Sequence, residues 1–422
     1  MTTTDLEPET EPEPVSRTRA PMTRRFLIAL GIIVFAALTV RVVNVLVVRP
    51  TVDHPTENDY FLNGDAFYYH WQAVAIGEGQ FFVNPPRYAY LGEIEESATH
   101  PPLYSTYLGA FSAVGLDGVT DHRLASCLMG TATIALLGLF LRRLGGDRVG
   151  LIGATLGAFY PQFWINDGML LSETAAQFAT VLMLMGAYHF WRERTVRAAA
   201  VFGAATALVV LSRPELALLF PMVVIPMGIQ AWKDRAWRER VKPALVACMV
   251  GALLMSPWIV FNLTRFNETT TLSTGPWSGI SAGTCDEVFY GKFIGYYANC
   301  FQGPFPPKSA DESEREVEPG KFARRYLEDH LGRLPIVVLA RVGRLWNVFK
   351  PGQNTFLDWW LEGRGKAASW AGLIMFYALW PFGVMGFVTM RRRRIPVLPL
   401  VALGIITTIA AMMTFGVTRY RA

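Results

Sequence analysis

The chain has 422 residues, of which 52% are hydrophobic and only 17% charged, with a mean hydropathy of +0.27. A soluble protein of this size carries roughly a quarter charged residues, so two or three soluble domains are excluded in favour of a polytopic membrane protein. The net charge of +5 is small and its arginines come in short clusters between apolar runs, a topology signal rather than a nucleic-acid face.

In chain order, residues 1–20 are rich in Thr, Glu and Pro. They cannot bury enough surface to offset ordering entropy, so the 1–23 stretch is expected to be a disordered cytoplasmic tail. The apolar run from Phe26 to Val48 follows Arg24 and Arg25. It is too long for a signal peptide and long enough to span a bilayer. Further apolar runs lie near 124–141, 149–166, 173–191, 198–212, 215–232, 244–263, 367–388 and 395–415. The expected fold is an all-α bundle of about nine transmembrane helices. Basic clusters at Arg142/Arg143/Arg148, Arg192/Arg194/Arg197, Lys233–Lys242 and Arg391–Arg394 then fall on the same side as Arg24/Arg25. The positive-inside rule makes that side cytoplasmic, in a plasma membrane.

Two links on the opposite side are far longer than a connection needs, 49–121 and 264–366. The organisation expected is a membrane core over 24–263 with the first outer loop inside it, an extracytoplasmic segment 264–366, and closing spans over 367–422. Within 264–366, Pro335–Phe349 reads as an amphipathic interface helix with Arg341 and Arg344 on one face. Cys285 and Cys300 lie in the same segment, where an extracellular setting allows a disulfide.

The chemistry-bearing residues gather in these outer links. Asp65 precedes an aromatic-rich run, Ala66-Phe67-Tyr68-Tyr69-His70-Trp71. One reading is a helix cap; the other is a carboxylate at the water–lipid boundary that takes a proton from an acceptor hydroxyl. His100, before Pro101-Pro102, is either part of a rigid bend or a group facing a lipid phosphate. Glu173 begins a span, Asp167 reads as a turn residue, and Arg213 and Glu215 flank Pro214. A mutual ion pair and an arginine facing phosphate are both open for Arg213. No nucleotide loop, H-E-x-x-H or G-x-S-x-G is present.

The order of these motifs resembles the GT-C glycosyltransferases, specifically bacterial relatives of the protein O-mannosyltransferase and aminoarabinose-transferase group. The resemblance rests on Gly64-Asp65, His100-Pro101-Pro102-Leu103, Leu171-Ser172-Glu173-Thr174, Leu211-Ser212-Arg213-Pro214-Glu215 and Thr418-Arg419-Tyr420-Arg421, and covers 24–421. The stretches around Thr271–Cys285, Tyr290-Gly291 and Ala340–Trp346 look like an actinobacterial branch of that group. It implies a polyprenyl-phosphate sugar donor, a glycan, lipid or protein acceptor on the outer face, and inversion at the anomeric carbon. Asp65 matches the family's catalytic acid, and His100 a position where relatives place Lys or His near the donor phosphate. Arg213 joins His100 as a candidate to hold the phosphate, with Arg341, Arg344, Arg419 and Arg421 as weaker candidates for the same role, and Glu173 and Asp167 as further site candidates. Some relatives carry a metal-binding acid where this chain has Thr99, so the resemblance carries over no certain cofactor and leaves a divalent metal open. In relatives the Thr-Arg-Tyr-Arg stretch continues into further spans; here the chain stops at Ala422, which reads as a truncation. A secondary transporter and a non-catalytic envelope scaffold are the alternatives. The first expects repeated halves, and the second expects Asp65 and His100 to lie far apart.

Overall fold

The computed structural model describes residues 22–52, 62, 64–303, 307 and 309–421. The tail expected to be disordered, 1–20, lies outside the described residues, as does Asn63. Among the described residues helices are the regular elements, joined by loops, with one isolated bridge between Val83 and Glu96. This is the all-α membrane fold expected from the apolar runs.

All nine runs form helix, but they are not nine equal spans. Among the described residues, five helices are long and apolar enough to cross a bilayer: Arg24–Val48, Val119–Gly145, Pro214–Ala231, Trp237–Leu263 and Lys366–Arg392. Val196–Val210 and Leu398–Met413 are apolar but shorter. Glu173–Glu193 has the length, yet it buries Glu173, Thr174, Gln177 and Tyr188 against its neighbours, which places polar groups inside the bundle. The run 149–166, expected as one span, breaks in two, Asp147–Phe159 and Pro161–Met169. Pro161 has no amide hydrogen to continue the ladder, and Tyr160 before it is extended at φ −70°, ψ 115°.

Packing follows small residues. Helices Glu173–Glu193 and Val196–Val210 share a core of Ala179, Met183, Ala187, Phe190, Phe202 and Val209. Gly203 lets the Lys242–Leu263 helix approach so closely that a Cβ there would collide with the Ala247 carbonyl.

The basic clusters meet at one end of the bundle. The Thr23 hydroxyl donates to Asp147 at 3.2 Å, and Arg142 pairs with Asp147 at 2.6 Å. Arg192 donates to the Arg143 carbonyl, Trp232 Nε1 to the Arg194 carbonyl at 2.8 Å, and the Tyr188 hydroxyl to the Pro396 carbonyl at 2.6 Å. At the other end Arg49, past the first span, donates to the Gly363 carbonyl at 2.6 Å. The long 264–366 segment therefore sits opposite the basic clusters.

That segment has a core of its own, in which Val288, Phe289 and Ile294 pack on Val337 and Ala340. Its helix Leu334–Leu345 is amphipathic as expected. Arg341 and Arg344 face inward, buried, while Ile336 and Leu339 are exposed on the other face. Cys285 and Cys300 form a disulfide with a Cα–Cα distance of 5.4 Å. The bridge closes a loop with a separation of 15 residues. Replacing both cysteines by Ser is expected to cost about 3 kcal/mol, read as faster limited proteolysis of 285–300. An unchanged cleavage rate would mean that the Val288–Val337 core holds the segment unaided.

Candidate active site

Gly64, with φ +49°, starts the Gly64–Gly77 helix in a backbone conformation that favours glycine. Asp65 therefore stands inside the first turn rather than capping it. Helical spacing puts Asp65, Tyr68, Tyr69 and Gln72 on one face. The His100 ring stacks on Tyr69 at 5.0 Å between centroids and meets Tyr68 edge-on at 4.7 Å. This brings His100 Nε2 to 3.5 Å from Asp65 Oδ1.

The far end of the chain supplies the second cation. The turn Thr418–Arg421 places Arg419 Nη2 3.0 Å from Asp65 Oδ2. The same guanidinium lies 3.7 Å from Glu173 and 3.7 Å from Glu362. Arg213 pairs with Glu173 at 2.9 Å and with Glu215 at 2.6 Å, and lies 5.0 Å over the Tyr420 ring. Asp65, His100, Glu173, Arg213 and Arg419, quoted from five separate stretches, thus form one cluster. Asp65 and His100 keep 28% and 27% of their side-chain surface exposed, so the cluster opens to solvent.

Electrostatics fix the charge state of Asp65. Burial pushes its carboxyl up, but Arg419, then His100 and Arg213, outweigh that and hold it well below the usual carboxylate range. The residue is an ionised acceptor with one oxygen facing each cation. The acids do not fit a metal: Asp65, Glu173 and Glu362 converge on a guanidinium, and Thr99 brings no carboxylate.

Four candidates stand apart from this cluster, among them Arg421, whose guanidinium lies 3.6 Å from the centre of the Phe376 ring. Asp167 pairs with Arg41 at 2.7 Å and accepts from Thr174 at 2.8 Å, with both charged side chains buried. A Cβ at Gly130 would collide with its carboxylate, so the site is a packed internal ion pair. Arg341 donates to the carbonyls of Met412 and Gly283, and Arg344 to the Ile294 carbonyl and Asn354 Oδ1. Arg341 ties the 264–366 segment to the last helix, and Arg344 ties parts of that segment to one another. Arg344 spends its donors on the protein and Arg341 keeps only its Nε without a partner among the described residues, so both are held within the protein rather than in the cluster where a phosphate was expected.

Sequence reading missed Glu362, Tyr420 as a ring under Arg213, and Glu312. Glu312 and Glu362 are single residues in stretches with no motif around them, and Tyr420 lies in the Thr418–Arg421 motif but nothing in its spacing pairs it with Arg213. Glu312 Oε1 accepts from Ala98 N at 2.9 Å, from the Thr99 hydroxyl at 3.1 Å, and from the Thr274 hydroxyl. It staples the 97–100 loop, and so His100, to the 264–366 segment. Glu312→Ala is expected to release the loop and lower turnover by about 10–10²-fold. Glu312→Gln, which keeps the acceptor oxygen, should stay near wild type, and equal losses in both would show that charge rather than position matters.

The fold and the cluster define an all-α membrane protein with a charged site at the end of the bundle remote from its basic clusters. The family resemblance is shown at sequence level: residues 99–261 match the family model described as dolichyl-phosphate-mannose-protein mannosyltransferase. That segment contains His100, Glu173 and Arg213, while Asp65 and Arg419 lie outside it. The chain is also similar in structure to the archaeal oligosaccharyltransferase AglB from Archaeoglobus fulgidus in complex with an inhibitory peptide and a dolichol-phosphate. Identity there is 16%, the TM-score 0.48, and the match covers 94% of this chain and 48% of that one. The apo form of the Archaeoglobus fulgidus oligosaccharyltransferase gives 16% identity and a TM-score of 0.47, with 94% and 48% covered. The chain thus spans about half the length of these solved structures. No curated protein matches.

Proposed function

We propose that the protein is a glycosyltransferase that moves a hexosyl or pentosyl group from a polyprenyl-phosphate donor to an acceptor on the outer face of the plasma membrane. The observation that carries this reading is the meeting of Asp65, His100 and Arg419 in one solvent-open cluster. A scaffold has no need of that convergence, and a transporter expects small links rather than a 264–366 segment stapled over the site. The match of 99–261 to a mannosyltransferase family supports the same reading. The N-terminus is then cytoplasmic with the basic clusters, and the site extracytoplasmic, where lipid-linked donors and a glycan, lipid or protein acceptor meet.

In the proposed step, Asp65 takes the acceptor hydroxyl proton. The acceptor oxygen forms a bond to the anomeric carbon as the bond from that carbon to the phosphate oxygen breaks. The electron pair leaves on the phosphate, faced by His100 and Arg419. Arg213 borders the same place and holds Glu173 in line. A single displacement inverts the anomeric centre. The test is the configuration of the product made from a polyprenyl-phosphate donor of known anomer. An inverted product supports the direct displacement, and a retained one excludes it.

A further inference from the structure

One carboxylate oxygen of the charged cluster has nothing to accept. Glu173 is 4% exposed, and its Oε1 takes both arginines, Arg213 Nη1 at 2.9 Å and Arg419 Nε at 3.7 Å. Its Oε2 is buried with no hydrogen-bond partner among the described residues. Arg364, a third cation close enough to act on Glu173, donates instead to Gln162 Oε1 at 3.1 Å. A carboxylate held between guanidiniums is ionised and can only accept. A buried acceptor left empty is costly, and native structures keep few of them.

The backbone is strained where it presents this side chain. Leu170, fully buried, has φ +55° between the helix Pro161–Met169 and the turn into Glu173–Glu193. A residue other than glycine seldom takes this conformation, and such strain clusters at functional sites. The place also adjoins the reaction centre, because Arg419 joins Glu173 to Asp65, 3.0 Å from the latter. The contacts of Arg419 to Glu173 and Glu362, both 3.7 Å, are longer than a hydrogen bond. The guanidinium can therefore turn toward a phosphate without breaking a hydrogen bond to either acid. Asp65 and Arg419 are both part-exposed, so this is the open side of the cluster.

We propose that Glu173 Oε2 accepts a hydrogen bond from the hydroxyl beside the anomeric carbon of the transferred sugar. It thereby selects donors with a free 2-hydroxyl over 2-deoxy and 2-acetamido sugars. A hydroxyl is a small donor and a carboxylate is its strongest neutral-pH acceptor among side chains. An acetamido N–H is a donor too, but its acetyl group needs room that an enclosed oxygen lacks. Hydrogen bonds at the 2-hydroxyl strengthen as positive charge develops at the anomeric carbon, so the contact acts on kcat as well as on KM. The empty acceptor rests on the geometry of Glu173. Its assignment to the transferred sugar rests on the sugar-transfer reading above.

The test is donor selection by the full chain in phosphatidylcholine nanodiscs. The donors are polyprenyl-phosphate mannose, glucose and arabinose, with the 2-deoxy and 2-acetamido counterparts of each. The readout is kcat/KM for a parent donor divided by that for its 2-deoxy counterpart. Wild type should give a ratio at least about tenfold larger than Glu173→Ala. Glu173→Gln keeps the shape with a neutral acceptor, and its ratio should fall between the two. Comparing ratios cancels any loss of folded protein and the intrinsic reactivity of each donor, so a merely structural Glu173 would leave them unmoved. Equal ratios in wild type and both variants overturn the proposal and leave Oε2 to a bound water. Transfer of a 2-acetamido donor at its parent's rate overturns it too. Donor binding to wild type without acceptor separates this failure from that of the transferase reading. Preferential binding of 2-hydroxyl donors, lost in Glu173→Ala, without any sugar transfer would keep the site and sink that reading. Transfer that needs Asp65, with equal ratios throughout, would do the reverse.

Discussion

Asp65→Asn is expected to lower sugar transfer by ~10²–10⁴-fold, the range for loss of a positioned general base. The amide keeps the shape of the side chain but cannot take the acceptor's proton. It also loses the charge that Arg419 meets at 3.0 Å and His100 at 3.5 Å. A purely structural Asp65 would lower stability and turnover together. A base would lower turnover with little change in donor affinity, because donor binding precedes proton removal. Thermal melting and the KM for donor, measured beside kcat, separate the two.

Arg419→Gln should have the second largest effect, and it acts in two directions. Removing a fixed cation that faces a developing oxyanion typically costs ~10²–10³-fold, so transfer at neutral pH should fall by that order. The substitution also removes the main influence holding the Asp65 carboxyl low. In wild type that group stays ionised far below the ordinary carboxylate range, so it sets no acid limb in the usual assay window. In Arg419→Gln its titration should move up toward the ordinary value of about 4, and an acid limb should appear there in the rate profile. Stability follows the same sign. A depressed carboxyl contributes stability above its unfolded value, lost only as pH falls through the lower folded value. Arg419→Gln should therefore unfold at higher pH on acid titration. An unchanged acid limb in this variant would mean that Arg419 does not govern Asp65.

The sequence made the membrane body and the site legible to different depths. Apolar length and basic clusters pointed to the helices and to their common end, because both are composition effects over many residues. Pro161 escaped as a helix break, since an apolar run shows no boundary when the breaker sits among apolar neighbours. Asp65, His100, Glu173, Arg213 and Arg419 could be named because short motifs flank them. Their meeting was not readable from spacing, as it depends on how the turn Thr418–Arg421 packs back onto the first long link. Arg341 and Arg344 misled for the opposite reason. Paired arginines on one helix face look the same whether they face a phosphate or, as here, carbonyl oxygens of the protein. Glu312, Glu362 and Arg364 are lone charged residues whose roles exist only through distant partners.

The central claim is that Asp65 is the base for sugar transfer from a lipid phosphate. Its most direct measurement is the initial rate of labelled-sugar transfer from polyprenyl-phosphate sugar, in matched membranes holding wild type or Asp65→Asn at equal folded amounts. Wild type should transfer the sugar, and the variant should lose at least about 10²-fold in rate. Transfer by Asp65→Asn at the wild-type rate would contradict it.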